Sequence, residues 1–366
     1  MTSAWAFELG RHAMAVGLKA LGIGEGHRVG ICAFSCLSVY EAVSVLGAQT
    51  VFLDVDQYLC IDPEALETAA PTLNAVVLQH TFGNPGQLDN LLEVCREHGL
   101  LVVEDCAHAI GCTWRGKPLG SLGDCAVYSF EWGKPYSTGQ GGMLTTNNDE
   151  LARKISEVLD RFAQPHSVSR DLVLVFQRFL RERALPRLLY PAARRLGQRF
   201  QGSRGGGLAT DHLDIPNFSA YVHRCGPLAA RVGLKQLRKL SRLQAIRKIN
   251  FELIERELLK ANLAPWPRDP RASVIALRYP VLVADKAAVL AKAETHGAEL
   301  GDWYRTPIHP ITSPVVLKRI GYSPDLCPNT ERVFRELVHL PTKYPLSSHR
   351  LKRTLAILAE GKSSCA

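Results

Sequence analysis

The chain has 366 residues, of which 46% are hydrophobic and 22% are charged. This is the composition of a globular protein with room for more than one domain. The sequence shows neither a secretory signal nor an apolar stretch long enough to span a bilayer. Its ten cysteines are scattered without the spacing of metal ligands, so we expect no metal site and a reducing, cytoplasmic environment.

The net charge of +9 suggests nucleic-acid binding, but the charge is local. Residues 161–205 contain ten arginines and two acidic residues, whereas the remaining chain is close to neutral. We therefore expect no nucleic-acid partner. The arginines alternate with apolar residues, as in surfaces that contact anionic lipids. An insertion with solvated arginines explains the pattern equally simply and is favoured.

The first half of the chain alternates predicted helices with apolar predicted strands. The strands are predicted at 28–34, 50–56, 74–80, 100–105, 125–130 and 141–146. The helices between them are predicted at 13–24, 39–48, 63–69 and 88–99. This order predicts an α/β fold with a mostly parallel sheet and helices on both faces. Ligands of such sheets bind beyond the carboxyl ends of the strands, where Asp105 and Lys134 fall.

The second half predicts a smaller α+β domain. Its predicted elements are a long helix at 228–261, a strand at 273–283, a helix at 287–297 and a helix leading into an extended stretch at 330–343. We predict a large α/β domain over 1–160 and a basic, Arg-rich insertion or linker over 161–215. The long helix and the small C-terminal domain would occupy 216–366.

Lys134 lies in the glycine-rich stretch YSFEWGKPYSTGQGG, residues 128–142. Taken alone, it is either a solvated lysine on a turn or a nucleophile beside a backbone that approaches a ligand closely. Asp105 ends a predicted strand and is, taken alone, either a helix N-cap or a functional carboxylate. The stretch by itself does not decide between these alternatives.

Several blocks of sequence in a fixed order carry a family resemblance. EDCAHAIG, GSLGDCAVYSF and SFEWGKPYSTGQGG follow one another, with AVSVLGAQTVFLDVD upstream and CPNTERVFRELVHLPT near the C-terminus. The chain resembles the DegT/DnrJ/EryC1/StrS sugar aminotransferases over nearly its whole length. The resemblance implies a fold-type I enzyme that uses pyridoxal 5'-phosphate (PLP).

The resemblance also assigns roles to four residues. Lys134 falls on the lysine that bonds covalently to PLP, which requires a partly neutral amine. Asp105 falls on the carboxylate that pairs with the pyridine nitrogen and keeps it protonated. His108 occupies the position of a side chain over the cofactor ring, and Ser129 that of a hydroxyl that binds the phosphate.

The chain departs from the family at the phosphate end. Where most members have Ser-Gly-Thr, it has Leu9, Gly10 and Arg11. We expect Gly10 and Arg11 still to bind phosphate, through the helix N-terminus and the guanidinium. Cys36 aligns with an aromatic that usually lies over the ring, and Val222 with an asparagine that reaches the neighbouring subunit's phosphate.

The predicted phosphate helix begins after about nine residues, whereas members of the family carry about forty to fifty before it. The resemblance implies a homodimer, and the short beginning leads us to expect one that dissociates on dilution and gains stability from PLP.

Near the C-terminus, Tyr304, Arg305 and His309 are candidate substrate contacts. The resemblance implies transfer of an amino group from an amino acid, glutamate or glutamine, to a nucleotide-linked keto-sugar in amino-sugar or polysaccharide biosynthesis. The alternative is a catalytically degenerate member with a regulatory or scaffold role. Lys134 argues against the dehydratases of the family, which carry histidine at this position.

Overall fold

The computed structural model describes residues 2–166 and 215–361, and between these ranges only residues 168, 171, 172, 174 and 176. Most of the Arg-rich segment, with its predicted lipid contact, therefore lies outside the described residues. In the part of the chain that the structure describes, no helix has the length and apolarity to cross a membrane.

The strands are β1 (Ser3–Phe7), β2 (Arg28–Cys32), β3 (Ser35–Cys36), β4 (Gln49–Leu53), β5 (Ala75–Gln79), β6 (Leu101–Asp105), β7 (Thr113–Trp114), β8 (Lys117–Pro118), β9 (Cys125–Ser129), β10 (Gly142–Thr146), β11 (Ala272–Ser273), β12 (Arg278–Leu282), β13 (Ile308–His309) and β14 (Leu337–Pro341). The helices are α1 (Gly10–Ala20), α2 (Leu37–Ser44), α3 (Pro63–Ala69), α4 (Leu88–Glu97), α5 (Asp149–Phe162), α6 (Phe218–Tyr221), α7 (Pro227–Lys260), α8 (Lys286–Thr295), α9 (Pro314–Arg319), α10 (Pro328–Glu336) and α11 (Ser348–Glu360).

A seven-stranded sheet organises the first half of the chain, in the order β1-β10-β9-β6-β5-β2-β4. Its five strands from β9 to β4 are parallel, and β10 and β1 extend one edge antiparallel. The predicted α/β fold with a mostly parallel sheet is thus confirmed. The sequence analysis missed β1, because five residues with a single alternation carry a weak pattern.

Side chains of the sheet alternate between two apolar layers. In β6, Val102 packs among buried residues that include those of α4, and Val103 packs on the opposite layer with α1 and α2. Since side chains alternate along a strand, Asp105 lies on the same face as Val103. The strand therefore directs this carboxylate toward the face that α1 covers.

The C-terminal half contains the long predicted helix as α7 and a two-stranded sheet of β12 and β14. The predicted single strand at 273–283 was wrong, because the structure divides it into β11 and β12. Between them, Ile275 N–H donates to Cys112 Sγ at 3.3 Å and Leu277 N–H donates to Phe82 O at 3.0 Å. These bonds attach the segment to the larger sheet region instead of to a strand partner. The division of the chain near 160 and 216 stays a prediction.

Candidate active site

A cavity of about 330 Å³ lies at the carboxyl ends of β5, β6 and β9, beside the N-terminus of α1. Most of the predicted site residues line it: Gly10, Arg11, Cys36, Asp105, His108, Ser129, Lys134 and Tyr304. The fold explains this convergence, because parallel strands deliver the residues that follow them to one edge of the sheet. Arg305 and His309 are not among the lining residues.

Asp105 is a buried carboxylate at the floor of the cavity, with 7% of its surface exposed. Its Oδ1 accepts a hydrogen bond from Ala107 N–H at 2.9 Å. Burial raises the pKa of Asp105, and the charge of Lys134 only partly opposes the effect. A positively charged N–H group in the cavity would stabilise the anionic form. The site therefore fits a protonated pyridine nitrogen.

Lys134 and His108 face each other across the cavity, with 3.0 Å between Lys134 Nζ and His108 Nε2. The backbone N–H of Phe82 donates to His108 Nδ1 at 3.2 Å, so that nitrogen carries no proton. The neutral imidazole then has its proton on Nε2, which points at the lysine. The hydrogen bond consequently requires a lone pair on Nζ, that is, a neutral amine.

The electrostatics agree with this assignment. Burial lowers the pKa of Lys134, and it lowers the pKa of His108 well below its usual value, with a further contribution from the Lys134 charge. Burial thus disfavours the charged form of both groups, and the charge of Lys134 further disfavours protonation of His108. The arrangement supplies an amine able to attack a carbonyl carbon.

His108 is held by aromatic neighbours. Its ring lies parallel to that of Phe82, with 5.7 Å between centroids, and meets the indole of Trp303 edge-on at 5.4 Å. The rotamer of the imidazole is therefore fixed by packing as well as by the hydrogen bond to Phe82. The structure thus fixes the orientation of His108 in the wall of the cavity, where it is 4% exposed.

The opposite end of the cavity is formed by the first turn of α1. Leu9, the N-cap residue, contributes no side-chain hydrogen bond, and the first turn contains no acidic residue. Ser129 lies close to this turn, because a Cβ atom added to Gly10 would be 3.4 Å from Ser129 Oγ. Uncapped N–H groups, the positive end of a helix dipole and a hydroxyl together fit a phosphate group.

Arg11 lies at this end and forms an ion pair with Glu41 of α2. Burial acts to lower the pKa of Arg11, but the Glu41 carboxylate outweighs it and raises the pKa. A second cavity of about 250 Å³ adjoins the first and shares Arg11 and Glu41 with it. Tyr221 lines this second cavity, and among the described residues its buried hydroxyl has no hydrogen-bond partner.

Val222, where the family resemblance places an asparagine, is 1% exposed and packs in the layer that contains α1. An aliphatic side chain in the core donates no hydrogen bond to a phosphate. Among the described residues that line the cavity, Arg11 supplies a positive charge at the end where the phosphate is expected.

The C-terminal candidates are divided between the cavity wall and its surroundings. Cys36 and Tyr304 line the cavity, and β13 pairs with β3 so that His309 lies beside Cys36. His309 packs edge-on against Tyr304 at 5.6 Å, and burial lowers its pKa to about 4. Arg305 has a half-exposed side chain that pairs with Asp302 at 2.7 Å. It thus lies on the surface beside the site.

Sequence reasoning missed Trp303 and Glu41, which both line the cavity. Trp303 precedes the singled-out Tyr304, but a lone tryptophan in a loop carries no periodic signal. Glu41 lies within the helix predicted at 39–48, where a single acidic residue carries no functional signal. Gln79 was also missed, although it ends a predicted strand, where the rule that located Asp105 applies equally.

His80, which lines the cavity, forms a buried group with Glu104 and Cys106, in which the potential metal-ligand atoms lie within 4.8 Å of one another. Glu104 already accepts hydrogen bonds from three backbone N–H groups of the loop 120–123 at 2.6–2.8 Å, and lies 2.9 Å from His80 Nε2. The burial of this carboxylate is therefore explained by hydrogen bonding within the protein.

Comparison with known proteins gives a family match over nearly the whole chain. The model of the DegT/DnrJ/EryC1/StrS aminotransferase family matches residues 2–359. A GDP-perosamine synthase of Caulobacter vibrioides is 42% identical over 148 residues, 40% of this chain and 40% of that protein. An L-glutamine:2-deoxy-scyllo-inosose aminotransferase of Streptoalloteichus tenebrarius is 29% identical over 322 residues, 86% of this chain and 66% of that protein.

The fold is also found in solved structures. A putative sugar aminotransferase of Streptococcus pneumoniae, solved in a PMP-form and a PLP-form, superposes with TM-scores of 0.74 and 0.73 at 16% identity. The superpositions cover 98% of this chain and 87% and 86% of the others. The matched segments thus span less than two thirds of the two curated relatives but most of these structures. The comparisons bring no support for a catalytically degenerate protein.

Proposed function

Because the chain belongs to the DegT/DnrJ/EryC1/StrS aminotransferase family, we propose that it is a PLP-dependent aminotransferase. In this proposal it moves an amino group from an amino acid, glutamate or glutamine, to the keto group of a nucleotide-linked sugar. The observation that carries the proposal is the cavity itself. It brings the amine of Lys134, whose pKa burial lowers, and the buried carboxylate of Asp105 together with an uncapped helix N-terminus.

Bound PLP supplies an aldehyde that bonds to amines and a ring that accepts the electrons of a breaking C–H bond. We propose that Lys134 holds it covalently and that Asp105 keeps its ring nitrogen protonated. Gly10, Arg11 and Ser129 would bind its phosphate, and Cys36 and His108 would contact its ring. Each of these residues lines the cavity.

Lys134 is also the proposed acid and base of the reaction. Its Nζ would take the proton from the α-carbon of the donor and return it to the cofactor side. A lowered pKa suits this work, because the amine must accept a proton readily and release it again. Trp303 and Tyr304 close one side of the cavity and limit the access of water. Tyr304, Arg305 and His309 remain the proposed substrate contacts.

The names of the relatives support the substrate class. One relative is named for a GDP-linked amino sugar and another for transfer from L-glutamine. We propose a homodimer, as implied by the family resemblance, that acts in the cytoplasm. The cysteines of the described residues are all free, which agrees with a reducing compartment.

The proposal is tested with purified protein and PLP. We expect a yellow protein whose absorbance band is bleached by L-glutamate or L-glutamine and restored by a keto-sugar nucleotide. Product mass identifies the aminated sugar. Asp105→Asn should retain PLP yet lose most turnover, because the ring nitrogen loses its counter-charge. A yellow protein that responds to no amino donor would refute transaminase activity.

A further inference from the structure

A buried cation outside the predicted site lies next to Lys134. Arg278, the first residue of β12, places its guanidinium carbon 4.8 Å from the centre of the Trp303 indole. Lys134 Nζ is 5.0 Å from the centre of the same ring. Gly133 adjoins Arg278 as well, since a Cβ at Gly133 would lie 3.9 Å from Arg278 Nη2. Arg278 thus packs against the residues that carry the reacting amine.

The charge of Arg278 is not neutralised by a carboxylate. Within the ranges that the structure describes, no Asp or Glu oxygen lies within 4 Å of its guanidinium. Asp302, the acidic residue of the neighbouring loop, pairs with Arg305 instead. Burial accordingly lowers the pKa of Arg278. A largely buried guanidinium without a carboxylate partner has a desolvation cost that nothing nearby offsets, and an anionic ligand would offset it.

The partner of Arg278 is neutral. Its Nη1 donates to His339 Nε2 at 2.9 Å, and Trp303 N–H donates to the same nitrogen at 3.2 Å. Because both partners only donate, His339 Nε2 carries no proton and the ring is uncharged. His339 is 4% exposed, and burial lowers its pKa well below the usual value. His339 therefore orients the guanidinium and leaves its positive charge available.

The loop over His339 is shaped around this imidazole. Gly301 and His339 exchange backbone hydrogen bonds at 3.0 and 2.9 Å. A Cβ at Gly301 would lie 1.8 Å from His339 Cε1, so only glycine fits there. The backbone of Gly301, the N–H of Trp303 and the guanidinium of Arg278 consequently hold His339 as one unit.

We infer that Arg278 binds the α-carboxylate of the amino-acid donor, an inference that rests on the proposed function. The donor amine reacts where Lys134 Nζ lies, and the α-carboxylate is attached to the carbon that bears this amine. A planar guanidinium matches a carboxylate with two parallel hydrogen bonds. The phosphates of a sugar nucleotide are separated from the keto carbon by the sugar ring, which makes them the poorer fit. Arg278 does not line the cavity, whereas Trp303, whose ring its guanidinium contacts, does, so the inference requires the carboxylate to bind beside the Trp303 indole.

The test compares wild type, Arg278→Met and Arg278→Lys in PLP-loaded protein. The first readout is quenching of tryptophan fluorescence by glutarate, a dicarboxylate without an amine, which requires no turnover. The second is the half-saturating L-glutamate concentration for bleaching of the cofactor band in a single turnover. Arg278→Met should raise the half-saturating concentrations of glutarate and of L-glutamate by about 100-fold. Arg278→Lys should raise them by less, because lysine keeps the charge but lacks the planar guanidinium. PLP affinity should be unchanged in both variants.

Arg268→Met is the matched control, because Arg268 also lies over an aromatic ring, that of Phe251 at 5.3 Å, but pairs with Glu255. It should behave as wild type. Equal glutarate and glutamate dependence in Arg278→Met and wild type would overturn the inference. A rise only in the half-saturating concentration of the keto-sugar nucleotide would also overturn the inference, because it would indicate that Arg278 binds phosphate. Arg278-dependent glutarate binding without any transfer from glutamate would refute the proposed function and retain the carboxylate site.

Discussion

The amine of Lys134 contacts an imidazole and an indole, and this surrounding determines its reactivity. Lys134→Ala should abolish covalent retention of PLP, since the other lining residues that the structure describes include no second lysine. Borohydride reduction followed by peptide mass analysis measures the bond. Lys117→Ala, at an exposed position of β8, is the control and should label as wild type does. A labelled Lys134→Ala protein would contradict the assignment.

Arg11 and Glu41 should affect phosphate binding in opposite directions. Arg11→Ala should weaken PLP binding by about 1.5–3 kcal/mol, the range for a hydrogen bond to a charged group. Glu41→Gln should strengthen it, because Arg11 loses the carboxylate that competes with the phosphate. Equilibrium titration with PLP, and with inorganic phosphate as competitor, measures both. Unchanged affinity in Arg11→Ala would place its side chain outside the phosphate site.

His309 lies in β13, which pairs with β3. Because its imidazole is buried there, we expect it to make the stability of the protein depend on pH. Its pKa is lowered to about 4 from 6.5 by burial, so the unfolded chain binds more protons between these values. The stability contributed by neutral His309 is therefore gained as pH rises from about 4 to 6.5 and is lost as pH falls.

Asp56 acts in the opposite direction over part of this range, because burial raises its pKa to about 6. The difference in unfolding free energy between wild type and His309→Gln isolates the histidine. In chemical denaturation, the unfolding free energy of wild type relative to that of His309→Gln should increase from pH 4 to pH 6.5. A difference that does not vary with pH would show that His309 is solvated.

At the scale of elements, α1 and β10 approach each other closely enough to require glycine at position 142 of β10. A Cβ at Gly142 would lie 2.5 Å from Gly10 Cα, a backbone atom that cannot move aside alone. Gly142→Ala should cost about 1–3 kcal/mol of stability, as overpacking does, and should weaken PLP binding by displacing the first turn of α1. Gly24→Ala, with no neighbour nearer than 3.9 Å, is the control. Equal denaturation midpoints for the two variants would contradict the close approach.

For the whole molecule, the proposed cofactor connects the large sheet region with the C-terminal half. PLP at about 100 times its dissociation constant should add about 2.7 kcal/mol to the unfolding free energy. Lys134→Ala should gain less at the same concentration. Thermal unfolding and sedimentation over a concentration series, each with and without PLP, measure stability and the proposed dimer. A melting temperature that does not respond to PLP would refute binding.

The amino-acid sequence by itself determined the sheet of the first half and the roles predicted for Lys134 and Asp105. Both follow from local patterns, because apolar runs of strand length and a fixed motif order are written in consecutive residues. The carboxyl-end rule for parallel sheets then places such residues together. The division of 273–283 into β11 and β12 was not predictable, since the N–H groups of Ile275 and Leu277 donate to distant residues, Cys112 and Phe82, between the two strands.

Only the tertiary structure decided which side chains surround the amine. Glu41 forms an ion pair with Arg11, and His339 accepts a hydrogen bond from Arg278. The indole of Trp303 contacts both Arg278 and Lys134. These partners are 25 to 169 positions apart, and no local pattern specifies their contact. Burial then sets the protonation of each group, because desolvation depends on the packing around it and not on its neighbours in the chain.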